Sequence, residues 1–329
     1  MFSVVIPMFN KADFVERAIE SVLAQTLPAG EIVVVDDGST DGSGELVLKL
    51  FGRRVTLVSQ ENLGEGAARN RGISQASGKW VALLDADDVW LPGHLAELSR
   101  VAQQCPRAHL IASRHVQWIS GSPVPPDLTG SVGYLDYFRP GENLTARFSA
   151  SSTAVRRSTA IKLGGFGFRQ TGEDRAFWAR VALQHPVASS TRVTSLWVRA
   201  NGGVSEQMSL HRRGQDVNLH GSSAGDKLDT PQLAVRYHPA AEVVLEALAS
   251  GTHVHNPQDL MRYIEGLTRE SALTHVREGS YRAARETMKL SLRPYSPSAL
   301  TLTALMNLPD KQLACLSSHT RRLLSKMRR

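Results

Sequence analysis

Four short apolar runs, each followed by an amphipathic stretch, fill the first hundred residues. No other feature narrows the possible folds as much. Ser3–Met8 is the first strand candidate, and a helix is predicted over Ala12–Gln25 with Phe14, Ala18, Ile19, Val22 and Leu23 on one face. Glu31–Asp36 is almost wholly apolar, as a strand buried on both faces should be. Asp41 is placed to cap a second helix running to Phe51. Val55–Ser59 is the third strand, Gly66–Ser77 the third helix and Trp80–Leu84 the fourth strand. Pro92 sits near the start of a fourth helix. Strands that alternate with helices in this way form a doubly wound, mostly parallel α/β sheet. Such sheets bind ligands at the carboxyl ends of their strands.

The pattern then loosens. Leu110–Trp118, Ser151–Arg156 and Val187–Val198 read as strands, Asp174–Gln184 as a helix and 119–150 as a long loop with short helices. Residues 202–232 are polar and weakly patterned, and helical spacing resumes from Ala240. The expected division is a catalytic α/β domain over 1–232 and a helical C-terminal appendage over 233–329.

Charge is unevenly placed along the chain. The chain of 329 residues carries a net +7, but residues 1–281 hold 28 basic and 29 acidic side chains, and residues 282–329 hold 10 and 2. A neutral body argues against nucleic acid as a partner. The basic tail suits an anionic membrane surface or an acidic partner, and a solvated Arg-rich helix explains it equally well. No run of about 18 apolar residues suggests a membrane span. The start, MFSVVIPMFNKADF, lacks the basic and small-residue features of a secretory signal. Cys105 and Cys315 are too few for a disulfide framework or a cysteine zinc site. A cytoplasmic location is expected, peripheral on the inner face of the membrane if the tail binds lipid; the sequon at Asn143 would then stay unmodified.

The chemistry lies in which strands end in acids. The second strand ends in Asp36-Asp37-Gly38-Ser39-Thr40-Asp41 and the fourth in Asp85-Ala86-Asp87-Asp88. A parallel sheet brings both clusters to one rim. Carboxylates crowded there repel one another unless a cation joins them. A hard divalent ion, Mg²⁺ or Mn²⁺, would do so and could hold a diphosphate as well. The turn Pro7-Met8-Phe9-Asn10-Lys11 matches neither a dinucleotide fingerprint nor a P-loop. Taken alone, Asp36–Asp41 reads equally well as turn and capping residues, and Asp85–Asp88 could be an acidic loop ahead of a helix.

With these motifs in hand, the chain resembles family 2 glycosyltransferases of the GT-A fold. The resemblance rests on Pro7-Met8-Phe9-Asn10, VVVDDGSTDG at 33–42, Asn62-Leu63-Gly64, Ala67-Ala68-Arg69-Asn70-Arg71-Gly72, LLDADDVW at 83–90 and Gly172-Glu173-Asp174-Arg175-Ala176-Phe177-Trp178. It extends over roughly residues 1–205. It implies inverting transfer of a sugar from a nucleotide-diphosphate donor to a glycan or lipid-linked acceptor, in cell-surface polysaccharide synthesis. Donor-binding roles then fall to Pro7, Phe9, Asn10, Asp36, Asp37, Asn62, Gly64, Arg69, Asn70, Asp85 and Ala86. Asp36 would accept the imide N–H of uracil or thymine, which favours a UDP- or dTDP-sugar. Asp85 would face the ribose and Asp87 would hold the metal, with Asp88 capping the next helix. Asp174 would be the general base and Glu173 its orienting neighbour; without the resemblance, both acids could simply favour a helix start. Asn201 stands where some relatives carry a metal-binding histidine, and it or His211 could add a ligand. Trp178 is expected to pack. Other readings are a sugar-nucleotide nucleotidyltransferase, whose Gly-rich first turn is missing here, and a non-catalytic nucleotide-sugar-binding protein.

Overall fold

A computed structural model describes residues 1–126, 128–139, 148–167, 172–199, 238–250, 257–277 and 287. In the first hundred residues the elements alternate as the periodicity predicts. They are β1 (Phe2–Met8), α1 (Val15–Leu23), β2 (Glu31–Asp36), α2 (Ser43–Phe51), β3 (Thr56–Ser59), α3 (Glu65–Gln75), β4 (Trp80–Leu83), β5 (Val89–Trp90) and α4 (His94–Gln104). There follow β6 (Leu110–Ile119), β7 (Val132–Leu135), β8 (Thr153–Arg156), α5 (Arg157–Lys162), α6 (Glu173–Gln184) and β9 (Val187–Arg199).

The described strands form one sheet in the order β3-β2-β1-β4-β8-β6-β9-β5, with β7 also paired to β9. β1, β2, β3 and β4 are parallel neighbours. β8 runs against both β4 and β6, so β6 and its parallel partner β9 point the same way as β4. The carboxyl ends of β1, β2 and β4 therefore share one rim. β5 and β7 run antiparallel to β9.

The side chains explain the layers. Val4, Ile6 and Met8 on one face of β1 join Val15, Ala18, Ile19 and Val22 of α1, Val47 and Phe51 of α2, and Leu95, Leu98 and Val101 of α4 in one apolar core. Val5 faces the other way, against α3. Gly72 permits that approach, because a Cβ there would lie 2.2 Å from a Val5 methyl. Among the described residues no helix is long and apolar enough to cross a membrane.

Several expectations are revised. Leu23 is exposed and Val15 takes its place in the buried stripe of α1. Asp41 does not occupy the N-cap of α2. Gly42 does, in the left-handed region, and Asp41 accepts hydrogen bonds from the Ala12 amide and from the Ser43 amide and hydroxyl. β5, β7 and α5 were not expected, and β7 lies inside the anticipated loop.

A second compact unit holds Phe138 with α7 (Pro239–Ser250) and α8 (Pro257–Arg277). Helical spacing predicts helices in this region. Ala240, Ala241 and Val244 of α7 and Leu260, Ile264 and Leu267 of α8 are buried, and Phe138 meets the Tyr263 ring edge-on at 5.2 Å. The expected boundary near 232, Cys315 and the basic tail lie outside the described residues.

Candidate active site

Two loops at the ends of β1 and β2 are tied together. The Asn10 amide donates to Ser39 Oγ at 3.0 Å, the Thr40 amide donates to Asn10 Oδ1 at 2.8 Å and the Lys11 amide donates to Ser43 Oγ at 2.9 Å. Asn10 has φ 51°, a left-handed conformation that Asn tolerates better than most side chains. Pro7 lies on buried β1 and Phe9 is exposed beside the turn.

The paired acids of β2 do different work. Asp36 Oδ1 accepts from the Ser39 amide at 2.9 Å. Its other oxygen lies where a Cβ on Gly44 would come within 2.6 Å, so that glycine makes room for the carboxylate at the start of α2. Asp37 is buried and accepts from Gln60 Nε2 at 2.7 Å, the Leu63 amide at 3.0 Å and the Gly64 amide at 2.9 Å. It fixes the loop that leads into α3 and includes the exposed Asn62. Gly64, with φ 91°, is the N-cap of that helix.

The end of β4 is a second tight structure. The Asp88 amide donates to the Asp85 carbonyl at 3.0 Å, closing a turn around buried Ala86. Asp88 is not a helix cap. Its carboxylate accepts from Ser151 Oγ at 2.5 Å and from the Val198 amide at 3.1 Å, and so ties the turn to β9. Burial first, then the like charge of Asp85, pushes the Asp88 carboxyl up to about 8. Ser151, fully buried, also accepts the Asp85 amide at 3.1 Å. Ser151→Ala strands both partners and should cost about 1–3 kcal/mol. Urea unfolding measures it, and an unchanged midpoint would contradict the arrangement. Asp87 remains on the rim, half-buried, with Lys11 Nζ 2.5 Å from its Oδ2.

Arg69 joins this rim to α6. Nη2 donates to Asp85 Oδ1 at 2.8 Å and Glu65 Oε1 at 2.5 Å, and Nη1 donates to Glu173 Oε1 at 3.0 Å. Its side chain is only 3% exposed. Burial raises the Glu173 carboxyl, and the Arg69 charge opposes that rise. Asp174, half-buried, follows Glu173 in the first turn of α6, and Gly172 caps the helix in a left-handed conformation. Asn70, expected beside the nucleotide, has its side-chain amide on a backbone peptide. Its Nδ2 donates to the Phe166 carbonyl at 2.9 Å and its Oδ1 accepts from the Phe166 amide at 2.7 Å. Trp178 packs as expected, with ring centroids 5.5 Å from Phe166 and 5.2 Å from Phe177.

Residues 3–163 match the family described as glycosyl transferase family 2. The chain carries a family 2 glycosyltransferase domain. Over 152 residues it is 37% identical to the uncharacterised glycosyltransferase YibD of Escherichia coli K12, covering 42% of this chain and 43% of that one. Over 95 residues it is 45% identical to the succinoglycan biosynthesis protein ExoO of Rhizobium meliloti, covering 29% and 27%. The matches thus span less than half the length of these relatives. Among solved structures, TarS of S. aureus in complex with UDP-GlcNAc superimposes with a TM-score of 0.61 at 16% identity, over 93% of this chain and 90% of that one. The shared architecture is the GT-A fold.

The fold brings most of the predicted acids to one region. Asp85 and Glu173 share Arg69, Asp174 follows Glu173, and Asp88 lies within the charge field of Asp85 and Asp87. Asp36, the last residue of β2, and Asp37 lie at the neighbouring strand end. Asn201 and His211 fall outside the described residues. Sequence reasoning gave no role to Ser151, Lys11 or Glu65. Glu65 was legible from its four-residue spacing to Arg69. The other two contacts span 63 and 76 residues of chain and carry no local signal.

The donor set suits a hard cation. Glu65, Asp85, Asp87, Asp88, Glu173 and Asp174 supply oxygen alone, and Arg69 and Lys11 set positive charge against them. Lys11 already places positive charge on Asp87. No group of three His, Cys, Asp or Glu among the described residues could hold a metal by itself. An ion here would rest on one or two carboxylates plus phosphate and water oxygens, a habit of Mg²⁺.

Proposed function

We propose that this chain is an inverting glycosyltransferase that moves a sugar from a UDP- or dTDP-linked donor to a glycan or lipid-linked acceptor during cell-surface polysaccharide synthesis. The observation that carries the reading is the Arg69 bridge between Asp85, at the end of β4, and Glu173, beside Asp174. In this reading the bridge links an acid on the donor side to an acid pair on the acceptor side. The involvement of ExoO in succinoglycan biosynthesis and the UDP-GlcNAc bound to TarS support the substrate class.

In this reading the β1 and β2 loops hold the nucleotide, with Asp36 at the base edge and Asp85 toward the ribose. Asp87 holds Mg²⁺ or Mn²⁺, which when bound supplies positive charge for the departing diphosphate. Asp174 takes the proton from the attacking acceptor hydroxyl as the new glycosidic bond forms on the side opposite the leaving group. Glu173 keeps Asp174 oriented. Catalysis takes place on the cytoplasmic side, and the basic tail at 319–329 rests on anionic lipid.

Thermal unfolding with nucleoside diphosphates in Mn²⁺ tests the donor assignment. UDP and dTDP should raise the melting temperature more than GDP does, and a chelator should remove the gain. Equal shifts from all three, or none, would overturn it.

A further inference from the structure

Arg69 was expected beside the phosphates. The structure shows what its guanidinium already holds. Its guanidinium is 3% exposed, three of its N–H contacts go to carboxylates, and its face lies 5.3 Å from the centre of the Phe166 ring. The remaining Nε has no partner and is itself buried. Meanwhile α3 grips both flanks of the segment that leads into α6. Asn70 clamps the Phe166 peptide on one side, and Arg69 holds Glu173 on the other. The backbones are closely fitted, since a Cβ on Gly66 would lie 2.4 Å from the Gly167 carbonyl and 3.5 Å from Glu173 Cγ.

We propose that Arg69 is a positioning residue: it spans from Asp85 to Glu173 and thereby fixes Asp174 at a set distance from the sugar's reacting carbon. This rests on the reading of Asp174 as the base. The planar fork matters because it bonds acids of three separate elements at once, α3, the β4 end and α6. A lysine keeps the charge but is a point donor on a flexible stem. An acid misplaced by about 1 Å can lose on the order of 10²-fold in rate.

The test is the kinetics of Arg69→Lys and Glu173→Gln, each checked for folding by thermal melt. Both should lower kcat by roughly 10- to 100-fold. Donor KM, and the Kd of UDP with Mn²⁺ measured without turnover, should stay within about threefold. The double variant should be little worse than either single one, because both break the same bridge. Arg69→Lys should cost nothing further in an Asp174→Asn background. Should Arg69→Lys not fold, Glu173→Gln carries the same signature. A rise in the UDP Kd with kcat unchanged would make Arg69 a phosphate binder and overturn the proposal. Additive losses in the double variant would also overturn it. If Asp174→Asn alone keeps wild-type kcat, it is the base assignment that fails.

Discussion

Replacing Asp174 by asparagine lowers kcat by about 10²–10⁴-fold and leaves donor affinity in place, the range that a general base typically contributes. A sugar hydroxyl is a poor nucleophile at neutral pH, so proton removal in the transition state matters. Asn keeps the size of the side chain and much of its hydrogen bonding but cannot take the proton. The first turn of α6 survives the change, because Gly172 caps the helix and Glu173 remains on Arg69. The loss therefore falls on kcat and not on binding. Steady-state kinetics with nucleotide Kd measured separately checks this. Wild-type kcat in a folded variant would return the acid to the role of helix start.

The second large effect is at Asp87. Asp87→Ala removes the half-exposed carboxylate of the β4 turn and frees Lys11 from its pair. The turn itself should persist, since Asp88 and Ser151 hold it independently. Fold stability should thus change little, because ion pairs this exposed contribute roughly 0–1 kcal/mol. Donor binding should lose its dependence on Mn²⁺, and transfer should cease. Titration of UDP with and without a chelator measures it. A variant that still gains affinity from Mn²⁺ would place the ion on other residues.

How far the sequence reaches is seen by comparing these two sites. The β4 acids were legible because a buried apolar run, WVALL, ends directly in them, and a parallel sheet sends such ends to one rim. The Glu173–Asp174 pair was legible only through family resemblance. Its link to the rim runs through Arg69, 104 residues earlier in the chain, and no periodicity reports a contact of that span. Asn70 shows the converse. Its place in the motif suggested the nucleotide, yet its amide holds a backbone peptide 96 residues away. β5 escaped notice because it is two residues long, and its pairing comes from β9 and not from its own composition. Asp88 misled for a related reason. An acid three to six residues before a helix looks like a cap, but its partners are Ser151 and the Val198 amide.

The most direct test of the account is release of nucleoside diphosphate from a panel of UDP-, dTDP- and GDP-sugars, with water standing in for the acceptor. The wild-type chain should release UDP or dTDP in Mn²⁺, and a chelator should suppress it. Asp174→Asn should reduce it by about 10²–10⁴-fold. A folded chain that releases nothing from any of these donors, or an Asp174→Asn variant as fast as wild type, would contradict the account.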